Sequence, residues 1–113
     1  VETAAGPDIN FQIDDGTEAS GNNTTALSAG WHHIAITADR SGSATFYIDG
    51  VADGTLVISG STGTLTNSIA FQVGIDGDDA SNPLDGDIGM IRFWKERLLT
   101  AAEVLQLSNT EGF

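Results

Sequence analysis

Trp31-His32-His33-Ile34-Ala35-Ile36-Thr37 is followed, after a short polar break, by Phe46-Tyr47-Ile48-Asp49-Gly50. Successive side chains of a strand point to opposite faces, so alternation assigns each run a core side. Ile34 and Ile36 share one side with His32 and Ala38, while Trp31, His33, Ala35 and Thr37 take the other. Phe46 and Ile48 alternate in the same way against Thr45 and Tyr47. Asp49-Gly50 then closes the second run with two residue types that readily take the positive φ of a hairpin turn. Two half-buried strands ending in a tight turn are the local signature of an antiparallel sheet.

The pattern continues on both sides. Asp-Gly occurs five times, at Asp15, Asp49, Asp53, Asp76 and Asp85, and several of these pairs separate apolar stretches. Candidate strands are Ile9–Ile13, Trp31–Ala38, Ala44–Asp49, Thr55–Ser59, Ile69–Gly74 and Ile88–Trp94. Their spacing, with Gly, Ser, Asn and Asp between them, predicts an all-β, antiparallel β-sandwich. Gly21–Thr25 is the most loop-like segment. One short C-terminal helix is expected after Thr100. Thr100 and Glu103 form a capping box, and Leu99 with Val104 has the spacing of a hydrophobic staple. Val104, Leu105 and Ser108 supply a narrow inward face, and Asn109 is a natural stop.

A chain of 113 residues supports one domain with one core, residues 1–113. No apolar run is long enough to span a bilayer. The start, VETAAGPDIN, has neither the basic nor the apolar region of a signal peptide. Without an initiator Met, the chain is expected to be a processed form or part of a longer protein. Sixteen acidic residues against four basic ones give a net charge of −12, a surface that repels nucleic acid and anionic membranes. Three of the four basic residues, Arg92, Lys95 and Arg97, share one segment. Zero cysteines exclude disulfides, thiol catalysis and Cys-based zinc sites.

The order WHHIAIT, FYIDG, FQVG, LDGDIGMIRFW and LLTAAEV resembles the concanavalin A-like lectin/glucanase superfamily, in particular its laminin-G-like and pentraxin-like jelly-roll modules. Trp31, His32 and His33 match the family's Trp-His-His strand, and Tyr47, Ile48, Asp49 and Gly50 its Tyr-Val-Asp-Gly hairpin end. Gly74 matches a strand end. Gly86, Ile88, Ile91, Arg92, Phe93 and Trp94 match the last strand, and Leu99, Thr100 and Glu103 the helix start. No single match is specific; five in the correct order are, and they span roughly residues 29–107. Two departures stand out. Few strands precede Trp31, which fits a compact variant, a fragment, or a module completed by a strand from elsewhere. Gly89 occupies a place where the family often has Asp.

Several residues invite a chemical reading. Adjacent histidines on a regular strand face opposite ways, so His32 and His33 are expected to be structural rather than a shared metal site. The loop 75–87 gathers Asp76, Asp78, Asp79, Asp85 and Asp87, oxygen ligands of the kind calcium prefers. Ala80 and Ser81 break the EF-hand pattern there, but the resemblance keeps calcium open as the one candidate cofactor. The five glutamates, Glu2, Glu18, Glu96, Glu103 and Glu111, form no Glu-x-Asp-x-Glu pair of a glucanase, and no nucleophile elbow or phosphate loop is present. The chain is therefore expected not to be an enzyme. Tyr47 and Trp94 both oppose the core-facing positions of their strands and form a candidate ligand-stacking patch.

The resemblance implies a non-catalytic recognition or adhesion module of an exported, cell-surface or virion-surface protein. Such a module binds glycan or protein through rim loops, with calcium as the candidate aid. The alternative is a structural or decoration protein of a virion or surface layer, whose partner is its own assembly. Neither reading involves nucleic acid or membrane insertion.

Overall fold

The computed structural model describes residues 1–3, 6, 8–68, 72–74 and 83–110. Among the described residues, seven antiparallel strands and one helix follow in order: β1 (Glu2–Thr3), β2 (Asn10–Asp14), β3 (Glu18–Asn22), β4 (Gly30–Trp31), β5 (Ile34–Ala38), β6 (Ser43–Ile48), β7 (Val51–Val57) and α1 (Ala101–Thr110). They form three sheets, with orders β1-β4, β2-β3 and β5-β6-β7. The fold is all-β with one short C-terminal helix.

The three-stranded sheet grows from the stretches that opened the sequence. Asp49 and Gly50 take φ of 52° and 83°, the two positive values of a tight hairpin turn, and join β6 to β7 with no further loop residue. The β2–β3 hairpin turns through Asp15-Gly16-Thr17. Asp14 accepts from the Gly16 amide at 2.8 Å, Asp15 accepts from Thr17 at 3.1 Å, and Gly16 has φ 100°. The partner strand β3, Glu-Ala-Ser-Gly-Asn, has weak β propensity and was not expected from sequence. It forms because Ala19 and Gly21 turn toward the protein, and Gly21 permits close approach. A Cβ there would stand 3.0 Å from Leu56 Cδ1 on β7.

Ile13, Ala44 and Ile58 form the buried centre, with Phe11, Ala19, Ile36 and Leu56 packed against it. Hairpin β2–β3 and sheet β5-β6-β7 thus share one apolar cluster. Phe46 and Val104 are fully buried, and burying each such side chain stabilises by roughly 1.5–3 kcal/mol. Arg40 clips the layers together at one end. It donates to Ser61 O at 2.8 Å from Nε, to Gly63 O at 2.7 Å, and to the nearly buried Asp15 carboxylate at 3.3 Å.

The helix has the expected cap. The Glu103 amide donates to Thr100 Oγ1 at 3.2 Å, the Thr100 amide donates to Glu103 Oε2 at 3.0 Å, and Arg97 pairs with Glu103 at 2.5 Å. The helix runs through Asn109 to Thr110, whose hydroxyl bonds back to Gln106 O. It docks on the β6–β7 turn: a Cβ on Gly50 would lie 2.8 Å from Leu105 Cδ1 and 3.1 Å from Ser108 Cβ.

Three expectations need correction. First, Trp31–Ala38 is not one strand. Gly30–Trp31 pairs with β1, and His32-His33 separate it from β5, because Asp49 captures both histidines. Second, Asp53-Gly54 is not a turn. It lies inside β7 as a bulge: Thr45 pairs with Thr55 and Tyr47 with Ala52, so two residues oppose Phe46. Third, residues 88–94 form no strand among the described residues, and Ile91, Phe93 and Trp94 are exposed. Alternation marks which residues could share a face, but a strand exists only where another backbone pairs with it. Part of Ile69–Gly74 lies outside the described residues.

Candidate functional site

The best-built polar constellation lies where the β6–β7 hairpin meets the loop after β3. The bulge at Gly54, with φ 116°, re-aims Asp53 out of the ladder and toward that loop. Its carboxylate accepts from Asn23 Nδ2 at 2.7 Å, from the Thr25 amide at 3.0 Å and from the Thr25 hydroxyl at 2.8 Å. Its backbone carbonyl accepts from the Thr24 amide at 2.9 Å. Asn23 is itself buried. It donates to Thr25 O at 2.7 Å and accepts from the Ile9 amide at 2.7 Å. One carboxylate on a strand therefore fixes the geometry of residues 23–25. Gly54 is required for the approach, since a Cβ there would lie 2.8 Å from Thr24 Oγ1.

A second carboxylate holds the other side of the same loop. Asp49 Oδ2 bonds His32 Nδ1 at 2.8 Å, and Asp49 Oδ1 accepts from the His33 amide at 2.9 Å. His32 Nε2 reaches Ser28 O at 3.0 Å and Ser28 Oγ at 3.2 Å. The imidazole thus bridges the hairpin turn to the end of the loop. Donation from both ring nitrogens, to a carboxylate and to a carbonyl, is the arrangement of an imidazolium. The hydrogen bond to Asp49 accordingly raises the His32 pKa above its ordinary value, with the Ser28 carbonyl acting in the same direction.

Both carboxylates are held ionised. Burial pushes the Asp49 carboxyl up, but the hydrogen bonds from His32 and the His33 amide outweigh it, leaving its pKa lowered. The Thr25 amide lowers that of Asp53, helped by Asn23 and the Thr25 hydroxyl. Between these anchors lies a depression of about 350 Å³, lined by Thr25, Leu27, Ser28, His32, Val51 and Asp53 among others. Leu27 is buried, whereas Val51 is exposed. Hydroxyls, a carboxylate and an imidazole therefore surround an apolar floor and rim.

The residues singled out from sequence fall elsewhere. Asp76, Asp78 and Asp79 lie outside the described residues. Asp85 and Asp87 are both exposed, and no group of three or more potential metal ligands occurs among the described residues. Tyr47 and Trp94 are not joined in an exposed patch. Tyr47 is 7% exposed because central strand β6 is covered on both faces, whereas Trp94 is 40% exposed. His32 and His33 lie between β4 and β5, outside any strand, and the Nδ1 of His33 is buried with no hydrogen-bond partner among the described residues. Asp53 and the His32–Asp49 pair were missed as site residues. The available signal was an Asp-Gly three residues after another Asp-Gly hairpin, too close for a second turn and so a mark of a bulge.

A laminin-G-type family model, described as concanavalin A-like lectin/glucanases superfamily, matches residues 1–105. No curated protein and no solved structure matches the chain.

Proposed function

The chain belongs to the concanavalin A-like lectin/glucanase superfamily, and we propose that it is a non-catalytic, lectin-like recognition module of an exported or surface protein. The ligand is a glycan, taken up at the depression between loop 23–28 and the β6–β7 hairpin. The observation that carries this reading is the double anchoring of that loop. Asp53 fixes one end through Asn23 and Thr25, and His32 fixes the other through Ser28. A recognition loop positioned before binding avoids the ordering cost of about 0.5–1.5 kcal/mol per immobilised side chain. Sugars present hydroxyls and apolar C–H faces together, and Thr25, Ser28 and Asp53 beside Leu27 and Val51 offer the matching pair of surfaces.

The electrostatics favour binding over glycoside hydrolysis. A glycosidase needs one carboxyl whose pKa is raised so that it can donate a proton. Asp49 and Asp53 are lowered instead and serve as acceptors. We also propose that the module closes as a sandwich, its core shared by hairpin β2–β3 and sheet β5-β6-β7. The calcium expectation for Asp76, Asp78, Asp79, Asp85 and Asp87 rests on the resemblance alone.

The test is a glycan array followed by NMR titration with the best-binding sugar. Shift changes centred on Thr25, Ser28, Val51 and Asp53 support the site. Sugar-induced changes confined to other loops, or no binding at millimolar sugar, overturn it.

A further inference from the structure

His32 sits where three segments meet, and its side chain is 12% exposed. From the β6–β7 turn, Asp49 Oδ2 bonds Nδ1 at 2.8 Å. From the loop, a single residue offers Nε2 two oxygens, Ser28 O at 3.0 Å and Ser28 Oγ at 3.2 Å. From the start of the chain, the Val1 ammonium donates to His32 O at 2.8 Å. His32 and Ser28 both line the depression of about 350 Å³, where Asp53 is the other charged group among the described residues. His33 lines a separate groove and not this depression.

The number of protons on the ring decides which Ser28 oxygen it uses. A charged ring donates from both nitrogens, so Nε2–H serves the Ser28 carbonyl and no lone pair remains for a hydroxyl proton. The exposed Ser28 hydroxyl then has its hydrogen free to turn away from the ring. When the ring gives up one proton, it leaves from Nε2. An ionised carboxylate only accepts, so Asp49 keeps the proton on Nδ1. Nε2 now presents a lone pair to a carbonyl that has nothing to donate. Among the described residues, the Ser28 hydroxyl is the donor in reach, and it turns inward to the ring.

The exchange takes place with little else changing around it. The hydrogen bond to Asp49 raises the His32 pKa, with burial and the Val1 ammonium opposing and the Ser28 carbonyl assisting. The ring therefore keeps its second proton past the ordinary value of 6.5. Asp49 and Asp53, both lowered, stay ionised throughout that range. Within the depression, the imidazole is thus the group that changes state.

We propose that protonation of His32 gates the depression: the Ser28 hydroxyl donates to an oxygen of the bound sugar while the ring is charged, and to the ring once it is neutral. The gate rests on the sugar-binding reading of this depression. It is closed by a rotation of one hydroxyl, with the Asp49 and Asp53 anchors still in place. Losing one neutral hydrogen bond to the ligand weakens binding by about three- to tenfold.

The probe is the best-binding uncharged sugar from the glycan array, so that the ligand itself does not titrate. NMR of the His32 ring nitrogens gives the midpoint and the tautomer, and the affinity is measured about two pH units below and above that midpoint. Binding should weaken by about three- to tenfold as the ring becomes neutral. Ser28→Ala, an exposed change that keeps the Ser28 carbonyl position, should bind at the weaker level at both pH values while the ring still titrates. His32→Gln should remove the pH dependence. A Ser28→Ala protein whose affinity still falls with pH overturns the proposal, because a loosened loop would then be the cause. Equal affinity at the two pH values overturns it as well, as does a neutral ring that carries its proton on Nε2. Those three results leave the sugar site standing, whereas no sugar binding at either pH overturns the site and the gate together.

Discussion

Replacing Asp53 by alanine tests whether one carboxylate organises the loop. The substitution deletes three hydrogen bonds, from Asn23 Nδ2, the Thr25 amide and the Thr25 hydroxyl. The Asn23 bond is partly buried and charge-assisted, and such bonds contribute about 1.5–3 kcal/mol. The two Thr25 bonds are exposed and add about 0.5 kcal/mol each at the low end of the usual range. The expected loss is therefore about 2.5–4 kcal/mol, read from the urea midpoint at unchanged m-value. The backbone bond from the Thr24 amide to Asp53 O survives, so the bulge persists and the loss concentrates in residues 23–28. Hydrogen exchange should show the Thr25 amide deprotected ahead of the Phe46 amide. Asp53→Asn keeps the shape but sets an amide donor among three donors, and should recover less than half of the loss. An Asp53→Ala protein within about 0.5 kcal/mol of the parent would refute the anchoring argument. Acid gives the same test without mutation. Because the folded pKa is lowered, the contribution is present above the ordinary value of 3.8 and is lost as pH falls through the folded value.

Glycines separate backbone strain from packing. Gly16→Ala meets only its positive φ, with no atom within 4 Å of the new Cβ, and should cost about 1–2 kcal/mol. Gly50→Ala adds overlap with Leu105 and Ser108 of α1 and should cost about 1–3 kcal/mol more, with α1 amides exchanging faster; equal midpoints for the two variants would disprove the docking of α1 on the turn. The His32 imidazole, its pKa raised by Asp49, stabilises below the ordinary value of 6.5, and that contribution is lost as pH rises through the folded value. His32→Gln should flatten the stability profile just above pH 6.5, and an NMR titration of the ring giving a value below 6.5 would contradict the bridge. Thr100→Ala breaks the capping box and should cost about 1 kcal/mol by chemical denaturation; no change would mean that docking, not capping, starts the helix. Calcium should raise the melting temperature over chelator if the loop containing Asp85 and Asp87 takes the ion, and identical melts remove that expectation.

Much of the fold was legible because it is locally encoded. Asp49-Gly50 can take two positive φ values whatever surrounds it, and Thr100 with Glu103 can close a capping box within four residues. The alternation that puts Phe46 and Ile36 inward needs only the period of a strand. The order of these short motifs was enough to identify the superfamily. The tertiary structure decided the rest. Whether Asp53-Gly54 bends the chain or bulges a strand depends on β6 lying opposite, and whether Tyr47 meets solvent depends on what covers β6. The partner that His32 selects comes from a turn seventeen residues away. Ile88–Trp94 alternates like a strand yet remains coil among the described residues, since pairing requires a second backbone that no local pattern can supply. Dihedral preference is a property of a few neighbouring residues, whereas hydrogen-bond partnership and burial belong to the assembled chain.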